Sequence, residues 1–509
     1  MTDINTGVNS QKTAGAYRIA SHLRNNNYSC KVIDHVEYLV ENYTNKFAKF
    51  LNQCVGEHTR IIGLSGTFMN YEHDAKTFKF LMVLLKSIKK KYPKLKVVIG
   101  GNGSNISYLM YFSQGVIDER VHGLAEVTVL RMLENYDNYK LDLLANEYDF
   151  HDCIPTFDSE DCIQDGEVLP LELSRGCRFK CKFCAFPLLG RNPNDDRYLR
   201  TTESIVRELV HNYENFKTTE YFITCDTFNE TTKKLLHIKE ATEIAGIDIN
   251  FSAYLRLELL RHNPEQLHIL KDLGIKTAFF GIESLHGPSA KAIGKGLGTE
   301  RTIETLHDIR NVWGNETLTF ASFILGLPHE TEQTAQVWLN MLDRGEVPLH
   351  SWRVRPLYMR LENPDLPYKQ QISYKSEFES NPKKYGYNVT QHGWTNDVWD
   401  SESCAKMANQ WTEHFVHNRQ IHVDSWFAMA MRNYKMPWKD ILNLKWSDVI
   451  SYNQREGARW NANDGEIHTG KSTQWLKDYR KTYLEHYTDL VFEPLDKYIV
   501  HTQKQSVVL

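Results

Sequence analysis

The run Leu173-Ser174-Arg175-Gly176-Cys177-Arg178-Phe179-Lys180-Cys181-Lys182-Phe183-Cys184-Ala185-Phe186 decides how the chain reads. Its cysteines are spaced C-x3-C-x2-C, so one short loop supplies three thiolates. That donor set suits a four-iron four-sulfur (4Fe-4S) cluster whose fourth iron is left for a small molecule. A structural zinc site would need a fourth ligand close by. The nearest histidines are His151 and His211, and Cys153 and Cys162 lie across a proline-containing stretch. The site therefore reads as deliberately open. Arg175, Arg178, Lys180 and Lys182 either offset the negative charge of the thiolates or simply face water.

Working outward, Leu169 begins a strand that delivers Ser174 to this loop. Five further strands are expected, at Tyr221–Cys225, Ile249–Tyr254, Thr277–Gly281, Leu318–Leu325 and near Ser351–Val354. Helices are expected between them near Thr202–Tyr213, Thr231–Ala245, Pro264–Leu273, Thr299–Val312 and Thr331–Leu342. Six such βα units imply an open parallel barrel, with ligands at the carboxyl ends of its strands. Three polar runs fall at those ends: Asp226-Thr227-Phe228, Gly281-Ile282-Glu283-Ser284 and Gly326-Leu327-Pro328-His329-Glu330-Thr331.

Together with the cysteine loop, these runs resemble the radical S-adenosylmethionine (radical SAM) superfamily, and the resemblance covers residues 169–355. It implies that Cys177, Cys181 and Cys184 hold a 4Fe-4S cluster and that S-adenosylmethionine (SAM) chelates the free iron. One electron from the cluster then releases a 5′-deoxyadenosyl radical. By the same resemblance, Phe183 lines the adenine pocket and Asp226 contacts the SAM amino group or substrate. Arg256 pairs with the SAM carboxylate, Glu283 sits at the barrel mouth, and Gly326 and Pro328 lie near the adenine. Each has a plainer reading: Asp226 as an N-cap for the next helix, Arg256 as a surface cation, Glu283 as a cap or a partner of Lys291 or Lys295, and the Gly326 run as a simple turn. His329 stands where the family usually has glycine, which puts a tight turn there in question.

Ahead of the barrel, residues 15 to about 140 alternate short apolar strands with helical patterns: a helix at Ala16–Arg24, strands at Ser29–Ile33, Arg60–Ser65 and Lys96–Ile99, and a helix from about His73 to Lys91. This is a doubly wound, Rossmann-like pattern, with Gly100, Gly101 and Gly103 placed for close backbone approach to a ligand. The runs Gly15-Ala-Tyr-Arg-Ile-Ala-Ser-His-Leu-Arg, Ile62-Gly-Leu-Ser, Ile99-Gly-Gly and Val121-His-Gly-Leu-Ala-Glu resemble the B12-binding-type domain that precedes many radical SAM cores. That resemblance implies cobalamin and, with it, methylation of an unactivated carbon. A domain kept only for packing or substrate contact is the alternative. Two features depart from the family: no Asp-x-His-x-x-Gly offers a lower cobalt ligand, and the usual first strand is missing because residues 1–14 are polar and unpatterned.

The division expected is 1–150 for the B12-binding-like domain, 151–355 for the barrel and 356–509 for a mainly helical region. Eight of the eleven tryptophans lie between Trp394 and Trp475 in that last region. Such residues either floor a substrate pocket or cover a barrel edge. Helices are expected at Ser403–His417 and Trp426–Asn433, and His414, His417 and His422 carry no metal signature.

A net charge of -4 gives no basis for general nucleic-acid binding, and no apolar run approaches the ~20 residues that span a bilayer. Nine cysteines without paired spacing imply a reducing, cytoplasmic setting. The partners implied are an unknown substrate and a reduced flavodoxin- or ferredoxin-type donor. Two rivals remain at this point. A methylthiotransferase would need a second three-cysteine cluster, and Cys30, Cys54 and Cys153 are scattered. A non-catalytic zinc or iron–sulfur module would carry metal without cleaving SAM.

Overall fold

The structure is a computed structural model. It describes residues 12, 14–67, 71–101, 106–121, 124–137, 150, 156–185, 198–359, 375–390, 393–415, 421–451, 459–460, 467–468, 471–472, 474–492 and 506–508. His151, Cys153, Gly103 and His417 lie outside them.

Two parallel sheets organise these residues. The larger is built from β5 (Leu169–Leu171), β6 (Glu220–Ile223), β7 (Asn250–Leu255), β8 (Ile275–Glu283), β9 (Leu318–Leu325) and β10 (Ser351–Pro356), in the spatial order 10-9-8-7-6-5. Each strand neighbours the next in sequence, as right-handed βα crossovers dictate. The crossovers are α6 (Thr202–Phe216), α7 (Thr232–Ala245), the pair α8 (Leu257–His262) and α9 (Glu265–Asp272), the pair α10 (Gly287–Ala292) and α11 (Thr299–Trp313), and α12 (Glu332–Arg344). Threonines open three of these helices by accepting from the third backbone N–H onward: Thr201 from Ser204, Thr231 from Lys234 and Thr331 from Thr334. The six-unit open barrel expected from the sequence is present, with β8 and β10 each extending past the expected end.

Alternation along the strands sorts two faces. Phe280 stacks on Trp313 of α11 and Phe323 on Trp338 of α12, so these side chains point outward to the helices. Their neighbours Phe279, Phe320 and Ser322 therefore point into the lumen. By register Arg353 pairs with Ser322 and Arg355 with Ile324, which puts both arginines on the lumen side as well.

The smaller sheet is doubly wound. It comprises β1 (Ser29–Lys31), β2 (Thr59–Ser65), β3 (Lys96–Gly100) and β4 (Glu119–Arg120), interleaved with α1 (Ala14–Asn25), α2 (Val36–Cys54), α3 (Tyr71–Lys91), α4 (Ile106–Phe112) and α5 (Ala125–Glu134). One internal strand is taken from the far end of the chain. A strand at Ser506–Val508, β17 in chain order, lies between β1 and β2 and runs parallel to both. The strand missing at the start of the sequence is thus supplied by residues 506–508, and Val508 is buried. Helix α2 has no counterpart in the sequence reading. Its apolar stripe is broken by Asn42, Thr44 and Asn45, and its backbone kinks at Tyr43.

The remaining elements follow β10. They are α13 (Glu377–Ser380), the hairpin β11 (Asn388–Thr390) and β12 (Gly393–Thr395), α14 (Ser401–His414), α15 (Ser425–Asn433), α16 (Trp438–Ile441), α17 (Trp446–Val449), four two-residue strands β13 to β16 between Ile450 and Ser472, and α18 (Gln474–Phe492). Helix α14 packs along β10 and α15 approaches β7, β8 and β9. Helix α18 sends Tyr487, Val491 and Phe492 into the core of the smaller sheet's domain.

Candidate functional site at the carboxyl ends of the barrel strands

The cysteine loop leaves β5 and is held in place by backbone contacts across the barrel mouth. Lys182 N donates to Ile293 O at 3.1 Å, and Cys184 N donates to Cys181 O at 3.1 Å. Gly294 beside the loop has φ +82°, a left-handed conformation that a side chain there would strain. Below the loop Arg178 N donates to Glu230 Oε1 at 3.0 Å, and Lys234 Nζ donates to Thr227 O at 2.9 Å. These buried groups fix the segment after β6 under the thiols.

Each of two thiols has a defined neighbour. Cys177 Sγ lies 3.4 Å from Thr227 Oγ1, and Arg256 Nη1 donates to Cys181 Sγ at 3.4 Å. Burial pushes the Cys177 thiol up from its ordinary value, while the Thr227 hydrogen bond pulls it down. Cys184 is half-buried on the same loop, and Phe183 packs in part against the main core.

Arg256 is buried, which excludes the surface-cation reading. Its guanidinium stacks over the Phe179 ring at 4.1 Å and donates from Nη2 to Glu258 Oε1 at 3.2 Å and Gly294 O at 3.1 Å. The cation beside the thiols therefore comes from the end of β7 rather than from the loop. Of the loop cations, Arg178 and Lys180 are exposed. Arg175 is bound to Glu126 at 2.7 Å and to Glu172 at 2.9 Å, which ties the loop to the smaller domain.

Glu283 closes β8 in a left-handed conformation, φ 68°, where the register with β9 slips. A Cβ at Gly281 would meet the Glu283 carboxylate at 2.6 Å, so a side chain there would push the carboxylate from its place. Burial raises Glu283 to about 7, opposed by Lys295 and by a hydrogen bond from Ser322. Lys295 and Arg355, not Lys291, are the cations that act on the carboxylate, and α10 starts after His286 with no side-chain cap. The capping reading of Asp226 also falls away, since Thr231 caps α7.

The run after β9 is a turn with specific demands. Gly326 has φ +87°, and its N–H donates to Glu330 Oε2 at 2.7 Å. Pro328 O accepts from Ser289 Oγ at 2.7 Å. His329 takes φ 66°, so histidine occupies the left-handed position that glycine usually fills. Glu330 is buried against the Trp338 indole N–H at 3.1 Å, and burial raises it to about 7.

Among the described residues no three His, Cys, Asp or Glu side chains converge to hold a single metal ion. A lone zinc would draw its thiolates to within about 4 Å of one another, given bonds of about 2.3 Å. A 4Fe-4S cluster spreads its ligand sulfurs over a larger body, and three thiols flanked by one arginine fit that group. Nothing in the local pattern signals Thr227 as a thiol neighbour, or Glu230 and Lys234 beneath the loop. His414 binds Asp343 at 2.6 Å, and the His422 ring lies 5.4 Å from that of His350.

Residues 171–342 match the model of the radical SAM superfamily. The chain carries a radical SAM domain. It is similar to the hopanoid C-2 methylase of Rhodopseudomonas palustris, 27% identical over 185 residues, 35% of this chain and 34% of that protein. An uncharacterized methyltransferase of Pyrococcus horikoshii is 27% identical over 34% of this chain and 36% of its own length. The chain thus spans about a third of the curated relatives it matches. Two solved structures share the fold over almost all of it. The radical SAM methyltransferase TsrM of Kitasatospora setae, with tryptophan substrate and a SAM analogue, has a TM-score of 0.57 at 12% identity, covering 96% of this chain and 97% of that one. The cobalamin-dependent radical SAM enzyme OxsB has 0.54 at 16% identity, covering 95% and 70%.

At the carboxyl edge of the smaller sheet, Gly101 has φ +110°, and a Cβ there would meet Thr67 N at 2.8 Å. The backbone that approaches this glycine is the chain's own. His35, after β1, packs its ring 4.8 Å from Tyr487 and 5.9 Å from Tyr483. This imidazole is engaged in packing against α18.

Proposed function

We propose that Cys177, Cys181 and Cys184 hold a 4Fe-4S cluster on which SAM is cleaved reductively, that the radical so released takes a hydrogen atom from a substrate in the barrel lumen, and that the reaction class is methyl transfer, with the methyl group drawn from a second SAM. The arrangement that carries this is the placement of three thiols, Arg256 and Thr227 together at the carboxyl ends of β5, β6 and β7. The bound cluster supplies the electron that breaks a sulfur–carbon bond.

The chain's own residues orient and shield. Arg256 places a delocalised cation beside Cys181 and can share it with the SAM carboxylate. Glu283, with Ser322 and Lys295 at hand, offers an acceptor for the SAM ribose or amino group at the mouth. Phe183, Gly326 and Pro328 bound the adenine side, while Asp226 faces the SAM amino group. The Trp-rich region excludes water from above β9 and β10, where Trp394 and Trp399 are buried. A cobalamin in the smaller domain would lie at the ends of β2, β3 and β17, and His35 would not serve as its lower ligand.

Methyl transfer is favoured over a methylthio reaction because no second set of three cysteines converges among the described residues. Cys30 and Cys162 are buried near the smaller sheet, Cys225 and Cys404 in the barrel core. The test is anaerobic: incubate the cluster-loaded protein with cobalamin and desalt it, then supply SAM bearing a deuterated methyl group. Retained cobalamin that acquires the label supports methyl transfer. SAM cleavage with no cobalamin retained would overturn that part and leave a barrel that acts alone.

A further inference from the structure

The cluster loop has two faces. Phe179 lies under the Arg256 guanidinium, Cys181 Sγ accepts from that guanidinium at 3.4 Å, and Phe183 packs against the main core. The residues that alternate with these three, Arg178, Lys180 and Lys182, are all cationic. Arg178 and Lys180 are exposed, and among the described residues neither has an ion-pair partner. The acid near Lys182 is Glu377, and Lys384 binds that carboxylate at 3.2 Å. A fourth cation, Lys291, is exposed near the end of α10. Its carbonyl accepts from Gly294 N, and Ile293 O, two residues on, accepts from Lys182 N. In a chain of net charge -4 this is a local reversal of sign. Like charges gathered on one surface repel one another, and an anionic partner relieves that repulsion.

Between these cations the surface is backbone. Gly294 and Gly296 are exposed, and a Cβ built on Gly294 would stand 3.7 Å from Lys180 O and 3.8 Å from Cys181 Cα. Glycines leave no side chain to hold a partner off. Gly294 O accepts from Arg256 Nη2 at 3.1 Å, while Arg256 Nη1 donates to Cys181 Sγ at 3.4 Å. One guanidinium thus bridges an exposed residue to a thiol of the loop.

We propose, on the reading that these thiols hold a cluster, that Arg178, Lys180, Lys182 and Lys291 form the docking surface for an acidic one-electron carrier protein, with the backbone at Gly294 as the point of electron entry. The reduced carrier loses one electron and the cluster gains it, with no proton or group transferred. The contact is of the small, charge-steered kind that serves transient electron transfer.

The test uses the cluster-loaded full chain, with an acidic flavodoxin and an acidic ferredoxin as probes and basic cytochrome c as the charge-inverted control. In calorimetric titration, binding of the acidic carriers should weaken about tenfold between about 30 and about 300 mM salt, and cytochrome c should not bind. Changing Arg178→Glu together with Lys180→Glu should weaken that binding about tenfold. SAM cleavage driven by reduced flavodoxin should fall with it, while cleavage driven by reduced methyl viologen, a small donor, holds at the parent rate. Lys291→Glu lies outside the cysteine loop and tests the same surface should the loop variant fail to assemble its cluster. It should weaken carrier binding about threefold and leave viologen-driven cleavage intact. Salt-indifferent binding, no binding of either acidic carrier at low salt, or a Lys291→Glu protein that binds like the parent would each overturn the proposal. Viologen-driven cleavage in the parent reports separately on the underlying reading: cleavage that persists while docking fails sinks only the docking surface.

Discussion

Gly326→Ala is the substitution whose cost the structure fixes most closely. The glycine has φ +87°, and a left-handed alanine costs about 1–2 kcal/mol. The added Cβ would also overlap Trp394 Cη2 and stand 2.8 Å from Cys404 Sγ. Trp394 cannot swing clear without giving up the bond from its indole N–H to Leu357 O at 2.8 Å, and Tyr387 pins the Gly326 carbonyl from the other side at 2.8 Å. Forcing a methyl into such packing costs about 1–3 kcal/mol. The sum is a loss of about 2–5 kcal/mol, located where the Trp-rich region meets the barrel rim. Urea unfolding followed by tryptophan fluorescence measures it, in the parent and in a Trp394→Phe background. The smaller ring should recover a large part of the loss, because the clash is with the indole's outer edge. A Gly326→Ala protein within about 0.5 kcal/mol of the parent, or a loss unchanged by Trp394→Phe, would refute this account of why glycine stands there.

Three other outcomes are expected. Val508→Asp buries an unpaired carboxylate in an internal strand of the smaller sheet, so amide exchange should speed up in β1 and β2 and stay unchanged in β6 to β9; uniform protection would contradict the placement of β17. Glu283 is raised to about 7, so its contribution to stability is full at low pH and is lost as pH rises from its ordinary value through about 7. Glu283→Gln should flatten the stability profile over that window, by an amount on the order of 3 kcal/mol, and unfolding at pH 5 and pH 8 would show it. Arg256→Gln removes a cation 3.4 Å from Cys181 Sγ, so the reconstituted cluster should become harder to reduce in a redox titration monitored by electron paramagnetic resonance. An unchanged potential would separate Arg256 from the cluster.

The barrel was legible because its strands are short β-branched or aromatic runs and its helices open on threonines at the expected spacing. The three cysteines announced the site through covalent spacing alone. What stayed hidden depends on distant segments meeting. Residues 506–508 are a plain Ser-Val-Val, and nothing local marks them as an internal strand of a sheet that begins at residue 29. Arg256 stood in the sequence as a candidate partner of the SAM carboxylate, but its place over Phe179 and against Cys181 depends on folding. The loop cations showed the reverse, since Arg175 is spent on Glu126 and Glu172. Trp394 and Trp399 are buried at the barrel rim, while Trp426 is partly exposed and packs against Phe222 and Tyr254.

The central claim is that Cys177, Cys181 and Cys184 carry a cluster that cleaves SAM. Its most direct test is the yield of 5′-deoxyadenosine from the anaerobically reconstituted protein with SAM and a strong reductant, beside the variant with all three cysteines changed to alanine. The account predicts product from the parent and none from the variant. Iron and sulfide that fail to assemble on the parent, or product that persists in the variant, would contradict it.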